Sequence, residues 1–249
     1  MSGNEQIPPR DIARRGAVFL DFDGTLVEIA PRPDAIAILP GLPALLEEVA
    51  AVTGGATALL SGRTIGDLDA FLAPARLAAA GGHGAELRRS PASPLERHAT
   101  PAVPAAWLAV AEALAASRPG ALLEQKPAGF TLHARACPDA LAPFRETLAA
   151  LVEQDDRFAL LDAHMAVEVR PAGVDKGAAL AALMAAPPFA GRLPVFVGDD
   201  VTDEDAIAAA HAFGGIGLRV AEAFGDPAGV RAWLAAIAAE RTALREAGA

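Results

Sequence analysis

The sequence AVFLDFDGTL, residues 17–26, sets the expected architecture of this chain. It begins with four apolar residues and passes at once to Asp21, Asp23 and Gly24. A short apolar run that stops at acidic residues is typical of a buried parallel strand whose carboxyl end opens into a site. We therefore predict a strand over residues 17–22 with chemically active side chains at its end.

Two later stretches repeat this pattern, TALLSGR at 57–63 and LPVFVGDD at 193–200. Each is apolar and stops abruptly at polar residues and glycine, as a buried strand does. Segments of helical composition and spacing lie beside these strands, at residues 43–52, 67–77 and 176–184. Strands that alternate with helices predict an α/β fold with a doubly wound parallel sheet.

The middle of the chain departs from this alternation. Four prolines between residues 91 and 104 interrupt the chain before a helical stretch at 107–117. A hairpin, a helix and a further strand are predicted next, at 121–126 with 130–135, at 138–153 and at 165–170. We therefore predict a doubly wound parallel-sheet core of residues 1–88 and 171–249, interrupted by an inserted α+β cap domain of residues 89–170.

Charge and composition limit the partners of the chain. The net charge of −10 and the pI near 4.9 oppose broad binding to nucleic acid or to an anionic membrane. No apolar stretch approaches the roughly 18 residues of a membrane-spanning helix. The N-terminus lacks the order of a secretory signal, and Cys137 is the single cysteine. We expect a soluble cytoplasmic protein that binds a small phosphorylated molecule; the sequence does not indicate its oligomeric state.

Asp21 and Asp23 form the strongest chemical signal in the sequence. Gly24 can supply a turn that brings both carboxylates into one pocket. Beside Mg²⁺, Asp21 is suited to attack phosphorus, while Asp23 is suited to protonate the leaving oxygen and later to activate water. The alternative is an Asp-Gly turn or helix cap, which the preceding strand disfavours.

The sequence Ser61-Gly62-Arg63 also follows a predicted strand. A hydroxyl next to backbone N–H groups can hold phosphate oxygens, although Ser-Gly pairs are also common at turns and helix caps. Lys176, one of two lysines among 21 basic residues, begins a predicted helix. Its ammonium is suited to neutralise both phosphate and Asp21. The alternative is a solvated first-turn lysine, a position that the helix dipole disfavours.

The segment GDDVTDED, residues 198–205, contains five acidic residues in seven positions. Such density is repulsive unless a cation or a helix N-terminus compensates it. Oxygen ligands at a strand end suit Mg²⁺, so Asp199 is the expected ligand together with Asp21 and Asp23. Asp200 and Asp203 are further candidates, and the acidic residues can also serve the N-terminus of the next helix.

These motifs, in this order, resemble the haloacid dehalogenase superfamily of phosphotransferases over most of the chain. The resemblance implies a hydrolase core with its site at the carboxyl edge of the sheet. It implies the following roles: Asp21 as nucleophile, Asp23 as acid and base, Ser61 and Lys176 as phosphate ligands, and Asp199 as Mg²⁺ ligand. The ATPases of this superfamily usually have threonine at the position of Asp23, so the second aspartate favours a phosphatase or a phosphomutase.

Further motifs resemble the trehalose-6-phosphate phosphatases of that superfamily. They are Gly82-His83-Gly84-Ala85-Glu86, Glu124-Gln125-Lys126-Pro127-Ala128-Gly129, Glu168-Val169-Arg170-Pro171, Asp175-Lys176-Gly177 and GDDVTDED. The chain departs from the usual family sequence at Val201, where a basic residue is common, and at Phe130-Thr131. The resemblance implies that a small sugar phosphate, trehalose 6-phosphate, is the substrate and Mg²⁺ the cofactor.

The predicted cap carries paired charges. Glu124 and Lys126 share one face of a predicted strand, and so do Glu168 and Arg170. Such pairs can bind sugar hydroxyls through charge-assisted hydrogen bonds. The alternative is cross-strand ion pairing, which contributes about 0.2–1 kcal/mol for each pair.

Two histidines are further candidates for contact with the sugar: His83, which lies between glycines, and His133, in the partner strand of the hairpin. With Ser61, Gly62 and Arg63 for the phosphate, they complete the expected binding residues. The expected activity is hydrolysis of trehalose 6-phosphate through a phospho-aspartate. Two alternatives remain: a phosphatase for sucrose phosphate or a mannosyl phosphoester, and a phosphosugar-binding regulator without catalysis.

Overall fold

The computed structural model describes residues 7–30, 35–126, 128–163 and 165–247, and the side chains as far as residue 241. Pro127 of the predicted cap motif lies outside these residues. The chain divides into two compact units.

The first compact unit contains the chain up to Arg97, the segment Asp175–Asp199 and the chain from Asp203 onward. Its helices are α1 (Pro9–Arg15), α2 (Leu42–Val52), α3 (Ile65–Leu72), α6 (Lys176–Met184), α7 (Glu204–Ala212), α8 (Val220–Ala223) and α9 (Pro227–Ala247). Its strands are β1 (Gly16–Leu20), β2 (Thr57–Leu60), β3 (Ala78–Gly81), β4 (Glu86–Arg88), β5 (Glu96–Arg97), β10 (Leu193–Gly198) and β11 (Ile216–Arg219).

The second compact unit contains His98–Val174 together with Asp200–Thr202. Its helices are α4 (Ala105–Ala116) and α5 (Leu141–Val152). Its strands are β6 (Leu122–Lys126), β7 (Gly129–His133), β8 (Phe158–Ala163) and β9 (Ala166–Pro171).

The described strands of the first unit form one sheet in the order β11-β10-β1-β2-β3-β4-β5. The first five strands of this order are parallel, whereas β4 and β5 run antiparallel. The apolar runs of the sequence form the centre of the sheet because a parallel strand covered on both faces needs apolar side chains in both directions. All five residues of β1 are buried.

Apolar cores cover both faces of this sheet. One core contains residues of α2, α3 and α9 against side chains such as Val18 and Val197. The other contains residues of α6 and α7 against side chains such as Phe19 and Phe196. Alternate residues of β1 therefore point into opposite cores, and the predicted doubly wound α/β fold is confirmed.

The hairpin of β4 and β5 places the boundary of the first unit later than the sequence suggests. The sequence predicts a core that stops at residue 88, because prolines follow. Glu86 and Leu87 of β4 instead pair with Arg97 and Glu96 of β5, so the sheet continues past these prolines. The chain returns to the first unit at Asp175, not at residue 171, because β9 extends to Pro171.

The second unit has an antiparallel sheet in the order β6-β7-β9-β8. Helices α4 and α5 contribute Trp107 and Phe144 to an apolar core with Phe130 and Val169. These strand residues lie on one face of the sheet. The residues that alternate with them, Thr131 and Glu168 among others, lie on the opposite face and are polar.

None of the helices in the described part of the chain combines the length and apolar character needed to cross a membrane.

Candidate active site

A buried lysine joins two aspartates at the carboxyl end of the parallel strands. Asp21 follows β1, and its backbone N–H donates to the carbonyl oxygen of Val197 at 2.9 Å. Lys176, the first residue of α6, places its Nζ 2.6 Å from Asp21 Oδ1 and 2.6 Å from Asp203 Oδ1. The three side chains are almost entirely buried. The strand end, α6 and the acidic segment are thus joined at one ammonium group.

Asp203 also holds the backbone of Asp199. Its Oδ2 accepts a hydrogen bond from the backbone N–H of Asp199 at 2.9 Å. A side chain at Gly198 would meet this carboxylate, because a Cβ there would lie 2.3 Å from Asp203 Oδ2. Because Gly198 has no side chain, the carboxylate of Asp203 can lie close to the backbone at the end of β10. Asp203 was only one of several candidates in the sequence, and the structure places it at the centre.

The turn after Asp23 brings Asp199 against the backbone of Gly24. Gly24 has a φ of 75°, and its N–H donates to Val27 at 2.8 Å. A Cβ at Gly24 would lie 2.0 Å from Asp199 Oδ2. Thr25 Oγ1 donates to Asp199 Oδ1 at 3.4 Å. Glycine is thus required at position 24 both by its backbone conformation and by the carboxylate that packs on it.

Burial and neighbouring charges shift the pKa values in this cluster. Burial raises the pKa of Asp21 well above its usual value, Lys176 opposes the rise, and the charges of Asp203 and Asp199 add to it. Burial alone lowers the pKa of Lys176, but attraction to Asp21 and Asp203 outweighs this effect and raises it. Lys176 is therefore charged, and a further positive charge near Asp21 would be favourable.

The acidic cluster fits a hard divalent cation. Among the described residues, ligand atoms of Asp21, Asp199 and Asp203 lie within 4.8 Å of one another. Three carboxylates against the single ammonium of Lys176 leave excess negative charge, and carboxylate oxygens are the ligands that Mg²⁺ prefers. The residues present therefore fit a magnesium ion, with Asp21 and Asp199 as the members expected from the sequence.

The Asp23 carboxylate contacts Arg63, an interaction that the sequence did not predict. Its carboxylate accepts two hydrogen bonds from Arg63, Nε to Oδ2 at 2.6 Å and Nη2 to Oδ1 at 2.8 Å. The guanidinium carbon of Arg63 lies 6.0 Å from the centre of the Phe22 ring and 5.2 Å from that of Phe71. The Asp23 side chain is not a member of the acidic cluster formed by described residues, so its role as a metal ligand stays a prediction.

Ser61, Gly62 and Arg63 form the loop between β2 and α3. Ser61 is buried, and its Oγ accepts from the backbone N–H of Arg63 at 3.2 Å. The buried ring of His83 lies over Gly62, where a Cβ would come within 2.5 Å of Nε2. The sequence predicted contact of Arg63 and His83 with substrate. The structure instead places the Arg63 guanidinium on Asp23 and the His83 ring on the loop, and their contact with substrate stays a prediction.

The polar face of the second unit carries paired charges, as the sequence predicted, but the pairs differ. Lys126 Nζ lies 2.6 Å from Glu168 Oε2, which also accepts from Thr131 Oγ1 at 3.2 Å. Because β7 lies between β6 and β9, Lys126 must cross two strand spacings to reach Glu168. The register partner of Lys126 on β7 is Gly129, which has no side chain. The sequence grouped Glu168 with Arg170, which shares its strand face, as residues for binding sugar hydroxyls.

The remaining cap candidates also lie on this face. Glu124 Oε2 lies 2.8 Å from His133 Nε2, on the neighbouring strand. Arg170 lies on the same face of β9 as Glu168, two residues along the strand. The structure thus contains cross-strand pairs, which were the alternative interpretation of these charged residues. That these residues bind sugar stays a prediction.

Asp200, the last candidate, accepts the backbone N–H of Val201 at 2.7 Å and belongs to the second compact unit. The sequence missed Glu86, although it lies in one of the quoted motifs. Its Oε2 accepts from the backbone N–H of Ile65 at 2.9 Å, at the start of α3. A glutamate on a strand gives no sequence signal for a bond to a helix 21 residues away.

Comparisons with known proteins identify relatives of this chain. A family model described as trehalose-phosphatase matches residues 19–223. A probable trehalose-phosphate phosphatase of Sinorhizobium fredii is 40% identical over 205 residues, which cover 82% of this chain and 77% of that protein. The trehalose-6-phosphate phosphatase of Escherichia coli is 37% identical over 213 residues, which cover 84% and 79%.

Solved structures give the same fold. The C-terminal domain of Candida albicans trehalose-6-phosphate phosphatase matches with a TM-score of 0.75 at 19% identity, covering 93% of this chain and 94% of that one. A sucrose-phosphatase of Synechocystis matches with a TM-score of 0.53 at 18% identity, covering 83% and 82%. At these identities the likeness concerns the fold alone.

Proposed function

The chain belongs to the trehalose-phosphatase family, and we propose that it hydrolyses trehalose 6-phosphate to trehalose and phosphate through a phospho-aspartate at Asp21. As a member of this family it is a phosphoric monoester hydrolase. The proposal concerns the substrate, the covalent step and the identity of the metal, which we take to be Mg²⁺.

The contact of Lys176 with Asp21 carries the mechanistic part of the proposal. Lys176 Nζ lies 2.6 Å from Asp21 Oδ1 and fixes this oxygen at the end of β1. In the proposed reaction an oxygen of Asp21 forms a bond to phosphorus as the bond from phosphorus to the sugar oxygen breaks. Lys176 then faces both the nucleophile and the phosphoryl group, where its charge offsets their repulsion. A bound Mg²⁺ would polarise the phosphoryl oxygens and neutralise their charge.

Asp23 is the proposed acid and base of the reaction. Both of its carboxylate oxygens accept hydrogen bonds from Arg63, so at least one of these contacts must open when Asp23 exchanges a proton with the substrate. Asp23 first gives a proton to the leaving sugar oxygen and then takes one from the water that attacks the phospho-aspartate. Ser61 Oγ and the N–H groups of its loop are the proposed phosphate ligands.

The polar face of the second unit is the proposed sugar-binding surface. Lys126, Glu168 and Thr131 form one hydrogen-bonded group there, and Glu124 with His133 forms another. Trehalose presents several hydroxyl groups, each both a donor and an acceptor, and charged side chains bind such groups through strong directional bonds. Sugar hydroxyls can thus replace these internal pairings with comparable ones.

Phosphate release from a panel of sugar phosphates tests this function. Trehalose 6-phosphate, sucrose 6-phosphate, mannose 6-phosphate and glucose 6-phosphate are each incubated with Mg²⁺ and, separately, with a chelator. We expect Mg²⁺-dependent release with a strong preference for trehalose 6-phosphate. Equal release from all four substrates would contradict the assignment of the polar face to sugar recognition. It would still support a phosphatase activity. Full activity in the presence of chelator would contradict the requirement for a metal ion.

A further inference from the structure

We infer that Glu86 is a positioning residue for the phosphate loop, defined here as Ser61–Thr64 between β2 and α3. The inference rests on the proposed function, because that function assigns phosphate binding to this loop. Glu86 lies on β4 and touches none of the proposed reacting groups. Its effect would pass through the backbone of Ile65, the first residue after the loop.

Backbone contacts tie the loop to the segment that precedes β4. The N–H of Gly82 donates to the carbonyl oxygen of Arg63 at 2.8 Å, and the N–H of His83 donates to that of Ser61 at 2.9 Å. Two carbonyl oxygens of the loop are therefore held by consecutive residues of one segment. The position of the loop depends on where this segment lies.

The two segments are fitted too closely to move independently. A Cβ at Gly81 would lie 2.6 Å from the backbone nitrogen of Ile65 and 2.8 Å from the carbonyl oxygen of Arg63. A Cβ at Gly62 would lie 2.5 Å from Nε2 of His83. Glycine on each side allows this close approach, and a shift of one segment would displace the other.

Glu86 closes this arrangement at the start of α3. Its Oε2 accepts from the N–H of Ile65 at 2.9 Å, and its side chain is only 14% exposed. The first N–H groups of a helix have no partner within the helix, and a carboxylate there is favoured by the helix dipole. Thr64 already accepts from Asp67 by its side chain, so Glu86 supplies a second cap from another part of the sheet.

For the position of the loop, the length of the Glu86 side chain is more important than the ion pair that it forms with Arg97. Oε1 of Glu86 lies 3.2 Å from Nε of Arg97, whose side chain is 70% exposed. Exposed ion pairs contribute little because water screens them. The bond to Ile65 is partly buried, and without it the end of the loop would lose its one tie to the Glu86 side chain and keep only the backbone contacts and the Thr64 cap. Shortening the side chain should therefore affect the loop more than removing its charge.

Three variants separate these effects. Glu86→Asp keeps the charge but withdraws the acceptor by about 1.5 Å, the length of one carbon–carbon bond. Glu86→Gln keeps the reach and an oxygen acceptor but loses the charge. Glu96→Asp is the matched control: Glu96 lies on the paired strand, and its carboxylate contacts the partly exposed Arg89 rather than the loop. The probe is inorganic phosphate, titrated by calorimetry into each protein in the presence of Mg²⁺, at a temperature where each is folded.

We expect Glu86→Asp to weaken phosphate binding about tenfold, Glu86→Gln to stay within about threefold, and Glu96→Asp within about twofold of the original chain. The Mg²⁺ concentration for half-maximal activity should not change, because Glu86 contacts none of Asp21, Asp199 and Asp203 in the cluster. Equal phosphate affinity in Glu86→Asp and the original chain would overturn the inference. So would a loss in Glu86→Gln as large as that in Glu86→Asp.

Calorimetry also keeps this inference separate from the proposed function, since it requires no turnover. If the original chain binds phosphate but hydrolyses none of the sugar phosphates, the phosphate affinities of the Glu86 variants still test the inference. Only the proposed activity is then contradicted. If the original chain binds no phosphate with Mg²⁺ present, the loop has no phosphate role and the inference about Glu86 is overturned with it.

Discussion

At the scale of the residue, Asp21 carries the largest share of the proposed chemistry. Replacing it by asparagine keeps its shape but turns the nucleophilic carboxylate into an uncharged amide. We expect Asp21→Asn to lower phosphate release by at least about 10³-fold. The variant should stay folded, because Lys176 keeps its 2.6 Å contact with Asp203. Circular dichroism checks the fold, and a phosphate assay checks turnover. Near-normal turnover of the variant would contradict the proposal that Asp21 is the nucleophile.

The same substitution predicts a pH effect on stability. A group whose pKa is raised in the folded state stabilises the fold at low pH and loses that contribution as the pH rises through the folded value. Asp21 is such a group, since burial raises its pKa above the usual 3.8. In chelator, the melting temperature of Asp21→Asn minus that of the original chain should therefore increase as the pH rises from about 4 towards neutrality. A constant difference would contradict the raised pKa of Asp21.

At the scale of the element, the turn after β1 links the fold to the acidic cluster that is the proposed metal site. A methyl group at Gly24 would meet Asp199 Oδ2, so Gly24→Ala should displace this carboxylate. We expect the Mg²⁺ concentration for half-maximal activity to rise about tenfold or more, as for other changes that disturb metal ligands. Gly191→Ala is the matched control, since Gly191 has a φ of 77° against 75° for Gly24 and nothing within 4 Å of a Cβ. If the two variants respond equally to Mg²⁺, backbone strain rather than Asp199 accounts for the effect.

The sequence could predict the elements better than the contacts between their ends. Asp21, Ser61 and Asp199 each follow an apolar run, and parallel strands bring their carboxyl ends to one edge, so their grouping was accessible from the pattern. The pairing of Arg63 with Asp23 was not, because it depends on how two loops bend after their strands. The extent of β4 and β5 was also hidden, since three-residue and two-residue strands leave almost no periodic pattern.

At the scale of the whole molecule, the chain builds two units with different surfaces. The first has apolar residues on both faces of its sheet and polar residues at one strand end. The second has helices on one face of its sheet and a charged face opposite. The change of pattern along the sequence predicts such a division, but the sequence grouped Lys126 with Glu124 on one strand face and did not identify its contact with Glu168. That contact depends on strand order, which no local pattern encodes.

The two units should therefore divide chemistry from substrate choice. Glu168→Gln keeps the size of the side chain but weakens its contacts with Lys126 and Thr131 on the proposed sugar surface. We expect KM for trehalose 6-phosphate to rise about tenfold, while Mg²⁺-dependent hydrolysis of p-nitrophenyl phosphate, which has no sugar, stays within about threefold. Asp162→Asn is the control, because Asp162 pairs with Arg145 and both are more than half exposed on the helix-covered face. Equal losses on both substrates would mean that Glu168 supports the fold or the chemistry, and would contradict its role in sugar recognition.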